Sequence, residues 1–117
     1  MHQEIPIELV NFPTQRARFK IVQVFVDGKP YLLCGDHAGA FHSDILADFL
    51  QSMGIQFEGL TPPLEGKRFK VAGMGDAEID PDSKFLQLPY GNSSCYRKGV
   101  DKDFNEMLRK MFPDWKF

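Results

Sequence analysis

The sequence predicts an α/β fold: a single compact domain with a mixed β-sheet of about five or six strands and two helices packed on it. Three observations lead there. Two β-rich runs are joined by Asp27-Gly28, which marks a hairpin. Two later segments, around 45–53 and 104–111, space their apolar residues as helices do. Further β-rich runs lie between the helices, so strands and helices alternate along the chain. With 117 residues, 43% hydrophobic and 26% charged, residues 1–117 suit one domain with one core.

The elements follow in order. Residues 1–18 contain one apolar stretch, Ile5 to Phe12, interrupted by Pro6 and Pro13, which reads as an edge strand or extended arm. Phe19 to Val26 is rich in β-branched and aromatic residues and reads as a strand. Tyr31 to Cys34 is its return partner across the Asp27-Gly28 turn. Gly35 to Ala40 is a loop. Ile45, Leu46, Phe49, Leu50 and Met53 form one helical stripe, and Gly54 ends that helix in the left-handed conformation. Ile55 to Leu60 fits a short strand, and Thr61 to Gly66 is a turn-rich connection. Arg68 to Ala72 alternates like a strand with one wet face. Gly73 to Ser83, with two glycines and Asp80-Pro81-Asp82, reads mainly as loop. Phe85 to Leu88 is a further strand, stopped by Pro89, and Tyr90 to Gly99 is a polar loop. Asp101 caps a second helix bearing Phe104, Met107, Leu108 and Met111 on one face. Pro113 closes it, and Trp115 to Phe117 fits a last strand.

Composition narrows the function classes. The formal net charge of −2 gives no basic footprint for nucleic acid or an anionic membrane surface. No apolar run approaches the roughly 18 residues that span a bilayer. Met1 to Pro6 has no basic head followed by an apolar stretch, so the expectation is a cytoplasmic chain whose two cysteines, Cys34 and Cys95, are free thiols. The eleven phenylalanines point to a core built on aromatic rings.

Three constellations offer chemistry. His42 stands at the mouth of the first helix, in Phe41-His42-Ser43-Asp44-Ile45, where free N–H groups and the positive dipole end gather anions. An imidazole exchanges protons near neutrality, and a base beside an anion site suits hydrolysis of a phosphorylated substrate. The competing reading is a histidine that caps the helix and does nothing more. Tyr90-Gly91-Asn92-Ser93-Ser94-Cys95-Tyr96-Arg97 can form a nest of backbone amides with two hydroxyls and an arginine, or can be an ordinary turn. Cys34, His37 and His42, near Asp36 and Asp44, are zinc-ligand types, yet they fall short of four ligands and match no helical ligand pair. A cysteine phosphatase would want a Cys-x5-Arg loop, which is absent.

Together these blocks resemble the Janus/Ocnus family, whose best-known members are metal-independent protein phosphohistidine phosphatases. Phe19-Lys20-Ile21-Val22 is similar to the family's first core strand, which bears a phosphate-contacting lysine. Leu33-Cys34-Gly35 followed by His42-Ser43-Asp44-Ile45 is similar to its Val-Arg-Gly … His-Ala-Asp-Ile segment, which holds the catalytic histidine. Tyr90 to Tyr96 resembles its Tyr-Gly-x-Ser-x-x-Tyr loop, and Phe112-Pro113-Asp114-Trp115 its closing segment. The likeness spans about residues 19 to 117. It implies a catalytic His42, with Lys20, Ser43, Asn92, Ser93, Ser94, Tyr96 and Arg97 holding phosphate, no metal or other cofactor, and a phosphorylated protein or small phosphoramidate as partner. The chain departs from the pattern at two of the family's arginines, which correspond to Cys34 and Glu78. Arg97 or Arg68 is then the expected compensating cation.

Overall fold

The computed structural model describes residues 6–36, 41–90, 92–93, 96 and 98–116. Strand β1 (Glu8–Val10) precedes a long hairpin, β2 (Ala17–Val26) and β3 (Lys29–Asp36), followed by helix α1 (His42–Ser52). Then come β4 (Phe69–Asp80), β5 (Phe85–Tyr90), the short pair β6 (Asn92–Ser93) and β7 (Lys98–Gly99), and helix α2 (Lys102–Met111). Five strands form one sheet in the order β1-β3-β2-β4-β5. It is mixed, because β1 runs parallel to β3 while the other pairs are antiparallel. The expected α/β architecture is therefore present, with one helix on each face of the sheet.

The hairpin forms as its sequence dictates. Asp27 and Gly28 have φ of 50° and 82°, both positive as a tight turn of the strand-matching hand requires. Strand β2 lies at the sheet's centre and is covered on both faces, which explains its nearly unbroken apolar run. Its even positions, Val22, Val24 and Val26, join Leu33, Leu46, Phe49, Leu50 and Met74 in the core under α1. Ile21, of opposite parity, joins Leu32, Cys34, Ile79, Leu86, Phe104 and Leu108 under α2. Truncating a fully buried Leu46 or Leu50 to Ala would cost about 2–5 kcal/mol.

Four expectations need correcting. Gly73 to Asp80 is not loop but the greater part of β4, the longest strand. Gly73 is needed there because a Cβ would meet the Gln23 side chain, the Asp101 nitrogen at 2.6 Å and the Gly99 oxygen at 2.8 Å. It permits close approach rather than breaking the strand. Pro89 does not stop β5, since it falls in the register irregularity between the pairs Glu78–Gln87 and Asp76–Tyr90, where no ladder N–H is called for. Ile55 to Leu60 is not a strand: Ile55 plugs the core under α1 and Leu60 is 95% exposed. The polar stretch after β5 includes the β6–β7 pairing, Asn92 opposite Gly99 and Ser93 opposite Lys98.

Both margins of the sheet are attended by other parts of the chain. β1 lies along β3, and beside it Ile7 is buried in the α2-side core. At the opposite margin Lys116 bridges to Phe85, with Leu86 N–H donating to Lys116 O at 2.9 Å and Lys116 N–H to Lys84 O at 2.8 Å. No helix of the described residues is long and apolar enough to cross a membrane.

Candidate functional site

Helix α1 opens with Phe41 as its N-cap residue and His42 as its first helical residue. Phenylalanine has no oxygen to offer the free amides, and no side-chain cap is made. Instead Asp44 reaches back to the Phe41 N–H at 3.4 Å. His42 does not cap the helix either. Its ring crosses to the sheet, where Nε2 lies 2.7 Å from the carbonyl oxygen of Gly75 on β4. A carbonyl only accepts, so Nε2 carries the hydrogen and the neutral ring keeps its lone pair on Nδ1. His42 is buried to 8% exposure, and no buried side-chain nitrogen or oxygen among the described residues lacks a partner. Nδ1, which makes no described hydrogen bond, therefore reaches solvent.

Lys20 shares this end of the fold by strand register. It pairs with Gly35 on β3 and with Asp76 on β4, and it has the parity of Val22 and Val24, so it faces α1. Its ammonium lies over the Phe41 ring, 5.0 Å from the centroid. The structure thus brings His42, Lys20 and the opening turn with half-buried Ser43 to one end of α1. It also brings acid. Asp76 is directly across from Lys20, and Glu78 faces the same way opposite Arg18. Glu78 is held by an exposed Arg16 at 3.2 Å.

The other expected residues fall as follows. The Asn92 and Ser93 backbones form β6, packed beside β4. Tyr96 packs against the core under α1, and its hydroxyl donates to Pro62 O at 2.7 Å, tying the loop to the connection after α1. Ser94, Cys95, Arg97 and His37 lie outside the described residues. Arg68 does not compensate for the missing arginines. It forms a two-pronged pair with Asp27 at 3.2 and 2.8 Å, at the hairpin tip, some six strand residues or roughly 20 Å from Lys20. That pairing holds the Asp27 carboxyl below and the Arg68 guanidinium above their ordinary ranges. Cys34 is 3% exposed in the core under α2, on the opposite face from Lys20, and burial pushes its thiol up to about 12. Such a thiol is inert as a nucleophile, and its direction separates it from His42 as a shared metal ligand.

A cleft of about 700 Å³ lies away from His42. Ile55, Phe57, Pro63 and Phe69 wall it at the far end of α1, about 16 Å along an eleven-residue helix. A smaller one, about 410 Å³, lies between Gly35 and the α1 residues Asp44, Asp48 and Phe49. Neither has His42 or Lys20 among its lining residues. The feature that sequence reasoning missed is the Gly75 carbonyl, a backbone acceptor that no residue type announces. No protein-family model matches the chain, and no curated protein matches it.

Proposed function

We propose that this chain is a metal-independent, cytoplasmic, phosphohistidine-phosphatase-like hydrolase acting on a phosphorylated protein or a small phosphoramidate, as the resemblance implies. The bond from His42 Nε2–H to Gly75 O carries the reading. It holds the ring in one tautomer and orientation, and it leaves Nδ1 as the basic atom beside the free amides of α1. A histidine kept only for structure gains nothing from an unused nitrogen that reaches solvent.

Two routes use the same atom. As general base, Nδ1 takes a proton from water while the water oxygen bonds to phosphorus and the P–N bond breaks. The proton then passes to the leaving nitrogen. As phosphoryl acceptor, Nδ1 bonds to phosphorus as the substrate P–N bond breaks and the leaving nitrogen takes a proton from solvent. Water then cleaves the new P–N bond, releasing phosphate. In either case Lys20 and the first-turn amides stabilise the phosphoryl oxygens. The test is hydrolysis of phosphohistidine or an aryl phosphate in EDTA by wild type and His42→Ala. A drop of about 100-fold or more is expected. Equal rates would remove His42 from the mechanism.

A second reading, a phosphate- or phosphopeptide-binding module without turnover, is favoured by the charge balance: Lys20 works against Asp44, Asp76 and Glu78. Titrating inorganic phosphate against the amide spectrum separates the two. Shifts at Ser43 and Lys20 without hydrolysis support the binder, whereas turnover excludes it.

A further inference from the structure

The connection after α1 carries a hole and a knob side by side. The hole is the cleft of about 700 Å³ with its apolar wall of Ile55, Phe57, Pro63 and Phe69. The knob is Leu60, 95% exposed, although Glu58 and Thr61 on either side of it line the cleft. Gly59, with φ of 77°, makes the turn before it in a conformation that favours glycine. The lip that bears Leu60 is also fastened. The buried Pro62 accepts from the Tyr96 hydroxyl at 2.7 Å, Leu64 O accepts from the Val71 N–H at 2.8 Å, and the Gly66 N–H donates to Phe69 O at 2.9 Å. A leucine on a fastened lip loses little further freedom when it is buried against a partner. The rim adds opposite charges. Glu58 and Lys67 are both exposed, and neither makes a hydrogen bond or ion pair among the described residues. Arg68, also in the wall, is already matched by Asp27.

We propose that this surface joins two copies of the chain about a two-fold axis, with Leu60 of each entering the cleft of the other. A knob next to its own hole is self-complementary. Under a two-fold each knob meets the other copy's hole, and the contact closes as a pair rather than growing into a filament. Glu58 stands beside the knob and Lys67 in the wall of the hole, so docking sets each copy's Glu58 against the other's Lys67. Each charge then gains the partner it lacks in the single chain. The unmatched charges of the rim balance one another, which suits a copy of the same surface better than a partner of one sign. The pairing is independent of the reading of the His42 surface.

Sedimentation velocity over a rising protein concentration reads the pair directly. Wild type should pass from monomer to dimer at or below about 1 mM and stop there. Leu60→Glu, at a side chain exposed enough to be replaced without loss of the fold, should stay monomeric over the same range. Glu58→Lys and Lys67→Glu should each dimerise at least about ten-fold more weakly, since each sets two like-charged pairs across the axis. Mixed in equal amounts, these two variants should recover wild-type association, because their heterodimer restores both opposite pairs. A pairing of Glu58 with Lys67 inside one chain would give no such recovery. A wild type that stays monomeric, a Leu60→Glu variant that dimerises as wild type does, growth beyond the dimer, or no recovery on mixing would each overturn the proposal. A cleft that serves a different protein or a small apolar molecule shows itself as a monomeric wild type, and so counts against the pairing.

Discussion

Gln23 and His42 are the buried polar side chains of the described core, and they lie on opposite faces of one sheet. Gln23, fully buried toward α2, uses both ends of its amide. Its oxygen accepts from the Asp101 N–H at 2.7 Å and its nitrogen donates to Asn105 Oδ1 at 2.7 Å. Asp101 in turn caps α2 by accepting from the Phe104 N–H at 2.9 Å. This group of bonds locks α2 to the sheet. His42 instead spends one nitrogen on Gly75 O and leaves the other toward solvent. A buried polar group bonded at both ends is structural, and one held firmly at one end while open at the other is equipped for chemistry.

Substitutions can break this contrast. The largest effect expected is on turnover: His42→Ala lowers hydrolysis at least about 100-fold, while Gln23→Leu leaves kcat per folded molecule unchanged. A comparable kcat loss in Gln23→Leu would erase the distinction. Stability should rank the other way. Gln23→Leu strands the Asp101 N–H and the Asn105 carbonyl, and should cost about 2–4 kcal/mol in urea unfolding. His42→Ala, which strands the Gly75 oxygen, should cost about 1–3. Gly73→Ala should fall in the range of Gln23→Leu, because its methyl group would press on the same bonds.

Two smaller effects sharpen the picture of the faces. Cys34 belongs to the closed α2 side, so in native protein the Cys34 peptide should resist iodoacetamide at pH 8, whereas in urea-unfolded protein it reacts. Its folded thiol titrates higher than its unfolded one, so its contribution to stability is complete below the unfolded value near 9. That contribution is lost as pH rises toward 12, and unfolding followed across that window should show the decline. On the α1 side, Asp76→Asn removes a negative charge opposite Lys20, one that repels a bound phosphate. It should tighten phosphate binding two- to five-fold at low salt, the gain shrinking as salt is added. An unchanged affinity would mean that Asp76 does not sense the bound anion.

Much of the scaffold was legible because it depends on local rules. Asp27-Gly28 forced the hairpin, the 45–53 stripe made α1, Gly54 ended it with φ of 72°, and Asp101 capped α2. The misreadings came from long-range causes. Gly73 looked like a breaker because nothing in its neighbours reveals that Gln23 and Gly99 crowd it. Pro89 looked like a stop because its neighbours do not announce a register irregularity. At the candidate site, His42 and Lys20 were readable as residue types on the right elements. The Gly75 carbonyl, the Phe41 ring over Lys20 and the Arg16–Glu78 pair arise only from strand register.

The coverage of the two sheet margins has a consequence for how copies of this chain meet. An open strand edge is a row of unpaired amides and carbonyls onto which another molecule can add, and such addition leads to aggregation. Here β3 is shielded by a strand of three residues flanked by Pro6 and Pro13, and the start of β5 is occupied by Lys116. The short outer strand offers an incoming chain few bonds, and the prolines beside it offer no N–H. Lys116 places a charge where β5 would begin a new pairing. Strand-by-strand growth from either side therefore starts at a disadvantage.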